Sequence, residues 1–272
     1  EFSGLLAAEG FRVCLLNPRG IGESKGSLDA LSLNQLADDV AHVIEKVLPF
    51  SSLKHVIITH LYDLFPMVKR VIASLYIKYI KRSVPHYFLP NAIFLSDALA
   101  FGKMVLFNPH PTQANDLAFL QYTGGTTGAP KGVMLTHRNI IANLEQAIAW
   151  ISPVLFPRQE IFVTALPLYH IFSLMANAFV PLYLGATNIL ITNPRDTKRF
   201  IEQIAHAHFT AITGVNTLYK NIMTHPDFKQ IDFGALKIAL AGGMALQKNV
   251  AESWQTITGK PLVEAYGLSE TS

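Results

Sequence analysis

The last third of the chain alternates in a way that few folds allow. FTAIT at 209–213, LKIALAGG at 236–243 and PLVEAYG at 261–267 are apolar, strand-like runs. Between them lie NTLYKNIM at 216–223 and QKNVAESWQTI at 247–257, both with helical spacing, the second ended by Gly259. Strands that alternate with helices over such short intervals lie parallel and are joined by crossover helices, so the fold class is α/β. Ligands in open α/β sheets settle outside the carboxyl ends of the strands. Those ends carry Thr213–Gly214, Gly242–Gly243 and Tyr266–Gly267, where small residues let backbone approach a ligand.

Composition narrows the class further. Half of the 272 residues are apolar and 15% are charged, which supports a sizeable core and excludes a disordered chain. The net charge is only +3, without a Lys/Arg run or a zinc pattern, so no nucleic-acid partner is expected. The single cysteine, Cys14, fits a reducing compartment. Residues 161–194 contain no Asp, Glu, Lys or Arg, long enough to raise a membrane span. Pro167, Pro181 and Gly185 interrupt that run, and His170 and Asn177 would lack partners in lipid. A buried core of strands and a short helix is expected there instead.

Towards the start, FRVCLLN reads as a strand and PRGIGESKG as a loop. Ser32 and Gln35 form a capping box for a helix that Pro49 closes. LKHVIITH is a further strand, and Pro66 opens a helix to about Arg82. On that helix Val68, Ile72, Leu75, Tyr76 and Tyr79 share one side, and Arg70, Lys78, Lys81 and Arg82 gather opposite. A solvated basic face over a protein core is the favoured expectation; contact with an anionic membrane surface is the alternative. The opening EFSGLLAAEGF is not a signal peptide, and both ends read as cut, so the chain is expected to be a fragment.

The chemistry concentrates at 121–139, QYTGGTTGAPKGVMLTHRN. It follows the strand DLAFLQY and leads into a second strand, GVML, and a helix beginning near Thr136. A glycine-rich turn between strands leaves backbone N–H groups free to point at an anion. Thr123, Thr126 and Thr127 add hydroxyls, and Lys131 adds a mobile positive charge that reaches terminal phosphates. The GTPase-type phosphate loop needs a different glycine spacing and a helix directly after it. Elsewhere, Tyr266 offers a flat face for a base, and Glu270 is a carboxylate suited to Mg²⁺ beside phosphates.

YTGGTTGAPKG, LPLYHIF, GGMALQ and YGLSETS, in this order, resemble the signature motifs of the adenylate-forming superfamily. ALPLYHIFSL, ITNPRD, FTAITGVNTLY and VAESW are similar to the bacterial long-chain fatty acid–CoA ligases, and the likeness runs from about residue 47 to the end. The resemblance implies ATP-dependent conversion of a fatty acid to acyl-adenylate, then displacement of AMP by the thiol of coenzyme A. It also implies that Thr123, Gly124, Gly125, Thr126, Thr127, Gly128 and Lys131 cradle the β- and γ-phosphates. Gly242, Gly243 and Met244 would border the adenine, with Tyr266 and Gly267 beside it. Thr271 would reach the α-phosphate, Glu270 would hold Mg²⁺, and His170 would stand beside the reacting carboxylate. Val180, Leu182, Ala211 and Val215 are candidates for an acyl tunnel. A cytoplasmic protein is implied, with peripheral contact to the inner membrane left open.

The expected architecture is therefore part of the large N-terminal domain of such an enzyme, with parallel sheets flanked by helices, over 47–272. A C-terminal domain with a catalytic lysine is expected to be lacking. Residues 1–46 instead resemble the strand, Gly-Glu-Ser loop and helix of an α/β-hydrolase. No G-x-S-x-G nucleophile elbow appears, so a fusion of two truncated genes is expected rather than a hydrolase. A non-catalytic ATP-binding module is the alternative from another functional class.

Overall fold

The computed structural model describes residues 44–46, 48–50, 55–60, 62–81, 88–106, 111–123 and 131–272. The expected FRVCLLN strand, the Ser32/Gln35 capping box and loop residues Gly124 to Gly128 lie outside these. By compactness the chain divides into Glu1–His110 and Pro111–Ser272. That division does not test the sequence boundary expected at 46/47.

In the first unit, β1 (Val56–Ile58) pairs in parallel with β2 (Ala92–Phe94). Helix α1 (Met67–Leu75) starts after Pro66 and widens into a π turn over Tyr76–Lys81; α2 is Leu95–Gly102. The basic residues Arg70 and Lys78 are solvated, as expected. Among the described residues no core covers the other side: no residue of α1 is buried, and Val68, Ile72 and, in the π turn, Tyr79 are all more than half exposed.

The second unit holds an antiparallel hairpin, β3 (Leu117–Thr123) with β4 (Lys131–Thr136), followed by α3 (His137–Ile151). α3 begins beside Thr136 as expected, and Thr136 caps it: its hydroxyl accepts from the Asn139 N–H at 3.3 Å, and Asn139 Oδ1 accepts from the Thr136 N–H at 3.0 Å. After α3 come β5 (Ile161–Thr164), α4 (Ile171–Ser173), a π turn (Leu174–Phe179), α5 (Val180–Leu184) and β6 (Thr187–Leu190). These are the elements of the uncharged run; β5, α4 and α5 are mostly buried, the π turn is partly buried, and β6 has no buried residue. No helix among the described residues is long and apolar enough to cross a membrane.

The rest is α6 (Thr197–Ile204), β7 (Ala211–Gly214), α7 (Asn216–Met223), β8 (Ile238–Ala241), α8 (Lys248–Thr258) and β9 (Val263–Glu264). Strand order is β6-β5-β7-β8-β9, with every pair parallel. The expected crossover pattern is present, with β8 and β9 shorter than their sequence runs.

The two-residue period of the strands sorts their side chains onto two faces. Val163, Ile212, Ala239 and Ala241 meet Phe200 and Ile204 of α6, Tyr219 and Ile222 of α7, and Trp254 of α8. Phe162, Ala211 and Ile238 face the other way, onto Ile151 of α3 and Val180 and Leu184 of α5. Helices thus cover both faces of the sheet. Tyr219 joins two strands, its hydroxyl donating to the Leu240 carbonyl at 2.6 Å, and burial pushes that phenol's pKa well above its ordinary value.

Candidate functional site

Strand order fixes where a ligand can go. From β5 the chain moves outward to β6, then returns past β5 to β7 and continues the other way. The direction of winding therefore reverses between β5 and β7. In open α/β sheets the crevice for ligands opens at that point, beyond the carboxyl ends.

His170 leads the segment that follows β5. Its N–H donates to the Pro167 carbonyl at 3.0 Å, and its carbonyl accepts from the Leu174 N–H at 2.8 Å. The residue is exposed rather than tucked into the core. Two residues on, the Phe172 ring lies against Gly242: a Cβ at Gly242 would stand 3.0 Å from that ring and 3.2 Å from the Ala265 carbonyl. A methyl there would crowd both, and the ring or the backbone would have to shift to admit it. The LPLYHIF and GGM motifs, 70 residues apart in sequence, are in direct contact.

The hairpin joins them. Gln121 on β3 donates its side-chain amide to the Tyr169 carbonyl at 3.0 Å. Thr123 and Lys131 face each other on the last rung of the ladder, and the Thr123 hydroxyl donates to the Lys131 carbonyl at 3.4 Å. The ends of β3 and β4 thus stand side by side, and Lys131 is exposed there. Asn143 on α3 donates to the Thr271 carbonyl at 3.4 Å, which ties the YGLSETS turn to the helix after the hairpin.

The GGMALQ loop is held from two sides. Glu264 accepts from the Leu246 N–H at 2.9 Å, and the buried Asn216 accepts from the Gln247 N–H at 3.0 Å. Gly243 takes a positive φ of 77°, and Met244 and Tyr266 are exposed, Tyr266 to 90%. Gly267 and Glu270 are also exposed. A flat ring and a glycine edge open to solvent suit stacking of a planar group.

Three expectations change. Thr213 was read as a strand-end residue for ligand approach, yet it is buried and its hydroxyl donates to Asn177 at 2.8 Å. The Thr271 hydroxyl donates to the Leu268 carbonyl at 2.9 Å, so it must swing its proton away from its own turn to reach a phosphate. The acyl-tunnel candidates do not line one space: Val180 and Ala211 belong to the core under α3 and α5, Leu182 is 77% exposed, and Val215 lies beneath Gly243. Apolar residues on opposite sides of a sheet cannot share a channel.

Gln121, Asn143, Asn216 and Glu264 were missed by sequence reading. Each acts on a segment far away in sequence, and polar residues at strand and helix ends carry no periodic signal. Among the described residues no three potential metal ligands cluster. A single exposed carboxylate, Glu270, still fits Mg²⁺, which keeps most of its shell as water and phosphate oxygens.

A doubly wound α/β domain with a glycine-bordered crevice at its switch point is a nucleotide-binding class of architecture. The family model described as AMP-binding enzyme matches residues 32–272, and the chain belongs to that family. A long-chain-fatty-acid–CoA ligase of Salmonella typhimurium is 48% identical over 235 residues, covering 86% of this chain and 42% of that protein. One of Yersinia pestis is 43% identical over 258 residues, 95% of this chain and 46% of that protein. The inhibitor-bound N-terminal domain of FACL13 from Mycobacterium tuberculosis shares the fold, with a TM-score of 0.58 at 20% identity over 86% of this chain and 54% of that one. The chain spans less than half the length of these curated relatives.

Proposed function

We propose that this chain is part of a long-chain fatty acid–CoA ligase that binds ATP in the crevice between β5 and β7. The observation that carries the reading is convergence: the hairpin, the His170 segment, the Gly242–Gly243 turn and the Thr271 turn meet through Gln121, Phe172 and Asn143. Relatives bearing the name long-chain-fatty-acid–CoA ligase, at 43–48% identity, supply the substrate class.

In this reading a fatty carboxylate attacks the α-phosphorus of ATP, pyrophosphate leaves, and the thiol of coenzyme A then displaces AMP from the acyl-adenylate. The residues' task is to hold nucleophile and phosphorus in line and to neutralise the leaving pyrophosphate. Thr123, the 124–128 loop and Lys131 hold the β- and γ-phosphates. Gly242, Gly243 and Met244 border the adenine, Tyr266 stacks on it beside Gly267, and Thr271 turns to the α-phosphate. His170 stands at the carboxylate. Glu270 would hold Mg²⁺, which when bound offsets the phosphate charge.

Calorimetry of the whole chain with Mg·ATP tests this. Binding is expected, and Lys131→Ala is expected to weaken it by about tenfold, the loss of roughly one charge-assisted contact. Absence of binding, or binding indifferent to Lys131, would sink the reading.

A cytoplasmic protein with peripheral membrane contact is part of the same proposal. The exposed Val68 and Ile72 of α1 and Tyr79 of the π turn, with Arg70 and Lys78 opposite, support docking on an anionic bilayer. Co-sedimentation with phosphatidylglycerol vesicles but not with phosphatidylcholine vesicles is the expected outcome. The separate, hydrolase-like origin of residues 1–46 also stays a proposal, tested by sequencing the gene across codons 32–54.

A further inference from the structure

Directly beneath the crevice, in what is otherwise apolar core, five polar side chains form one connected network. The Thr164 hydroxyl, at the end of β5, donates to Asn188 Oδ1 on β6 at 2.6 Å. Asn188 in turn donates its amide to the backbone carbonyl of Asn177. The Asn177 side chain accepts from the Thr213 hydroxyl on β7 at 2.8 Å and donates to Ser173 Oγ at 3.0 Å. Ser173 donates to the Leu166 carbonyl, also at 3.0 Å, in the loop that leads to His170. Ser173 and Asn177 are wholly buried, and Thr164 and Thr213 nearly so.

Such a network is expensive unless every member is satisfied, and a satisfied one selects a single arrangement of the elements it joins. Here the elements are the three strands flanking the switch point and the helical segment that begins at His170. Asn177 lies within the π turn at Leu174–Phe179. A π turn holds one more residue per turn than an α-helix, shifting everything before it relative to everything after it. An apolar residue at 177 would bury as well but would leave the pitch of that segment unspecified. The network grips the segment at its wide turn, and the grip passes along it to Phe172 against Gly242.

We propose that Asn177 is a positioning residue for the site. Through Thr213, Ser173 and Asn188 it fixes where His170 and Phe172 stand relative to Gly242, and so sets the acyl side of the crevice without touching ligand. The ligand part of this inference rests on the function proposed above; the positioning part does not.

The test uses the whole chain carrying Thr213→Val, which keeps shape but removes one hydroxyl, Thr213→Ser, which restores it, and Asn177→Leu. The ¹³Cε1–¹H signal of His170, assigned by its loss in His170→Gln, reports position. The indole N–H signal of Trp254, in the core on the other face, reports general damage. Thr213→Val and Asn177→Leu are expected to move the His170 signal and leave Trp254 in place, and Thr213→Ser is expected to return it. A still His170 signal, or a Trp254 signal that moves as far, would refute positioning.

For the ligand arm the probes are dodecanoyl sulfamoyl adenosine, a stable mimic of an acyl-adenylate, and Mg·ATP. Thr213→Val is expected to weaken the mimic by about tenfold while changing Mg·ATP by less than about twofold. Equal loss of both, or of neither, contradicts an acyl-side role. Should the unaltered chain bind neither probe, the ligase reading fails, and the His170 signal alone decides the positioning claim.

Discussion

Removing the charge of Lys237 offers the sharpest test of the energetics of this fold. Glu160, just before β5, has a fully buried side chain. Its Oε1 accepts from Lys237 Nζ at 2.6 Å and from the Phe156 N–H at 2.7 Å, and the ammonium also lies 5.1 Å from the centre of the Phe156 ring. Burial alone would push the Glu160 carboxyl up. The hydrogen bonds from Lys237, Thr210 and Phe156, with the Lys237 charge, outweigh it and hold the carboxyl below its ordinary value. Lys237→Met keeps most of the side-chain length and strands the carboxylate. The group then either stays charged without a counter-charge, which costs about 3–5 kcal/mol in a buried site, or takes up a proton. Holding a proton at pH 7 on a carboxyl of ordinary acidity costs about 3.7 kcal/mol.

Both routes give a loss of about 4 kcal/mol, or roughly 10 °C in Tm for a unit of this size. The loss depends on pH in a definite direction. A carboxyl whose folded pKa is depressed stabilises the fold above its unfolded pKa, and that contribution disappears as pH falls through the folded value. In the parent that contribution is still present at pH 5; the gap is nonetheless expected to shrink to about 1 kcal/mol there, because burial raises the variant's stranded carboxyl and a proton on it costs less as pH nears the ordinary carboxyl value. Urea unfolding read by fluorescence measures it cleanly, because Trp254 is fully buried while Trp150 is 59% exposed. A loss under about 1 kcal/mol at pH 7, or a gap equal at pH 5 and pH 7, would refute the reasoning. Replacing both partners with Met is expected to recover most of the stability, since the uncompensated charge is then gone.

Other perturbations have equally definite outcomes. Gly214→Ala would place a methyl 2.9 Å from Leu218 Cδ2 and Tyr219 Cε2, and a loss of about 1–3 kcal/mol in urea unfolding is expected. Tyr219→Phe removes the hydroxyl that holds the Leu240 carbonyl and should lower stability by about 1–2 kcal/mol, with no change in secondary structure by circular dichroism. Glu270→Gln lies on an exposed turn, so its melting curve should match the parent's, while calorimetry should show weaker binding of Mg·ATP than of ATP with EDTA, relative to the parent.

Much of the fold was legible in the chain's own order. The α7 segment NTLYKNIM begins and ends where its apolar spacing says, and α8 stops at Gly259, which takes the left-handed conformation after it. The hairpin and the start of α3 near Thr136 were equally plain. These features are local: periodicity, caps and turn residues act over a few positions, and sequence order records them. The uncharged run at 161–194 was also readable as core, because its prolines and glycine rule out one long span.

The site was legible in a different sense. The motifs suggested the residues, but only the strand order β6-β5-β7 brings the segments that carry them into contact, and that order depends on which face each crossover packs against. The roles of Thr213 and Asn177 were hidden for the same reason. A threonine at a strand end looks like a ligand contact until the neighbouring helix supplies a buried amide for its hydroxyl. The apolar side of α1 was read as facing a core, since a helical wheel shows that a face is apolar but not what covers it. Sequence alone therefore determined the elements, the class and the family likeness, all of which follow from short-range chemistry. Tertiary structure decided which distant polar groups meet, because a buried hydrogen bond joins partners that sequence spacing does not relate.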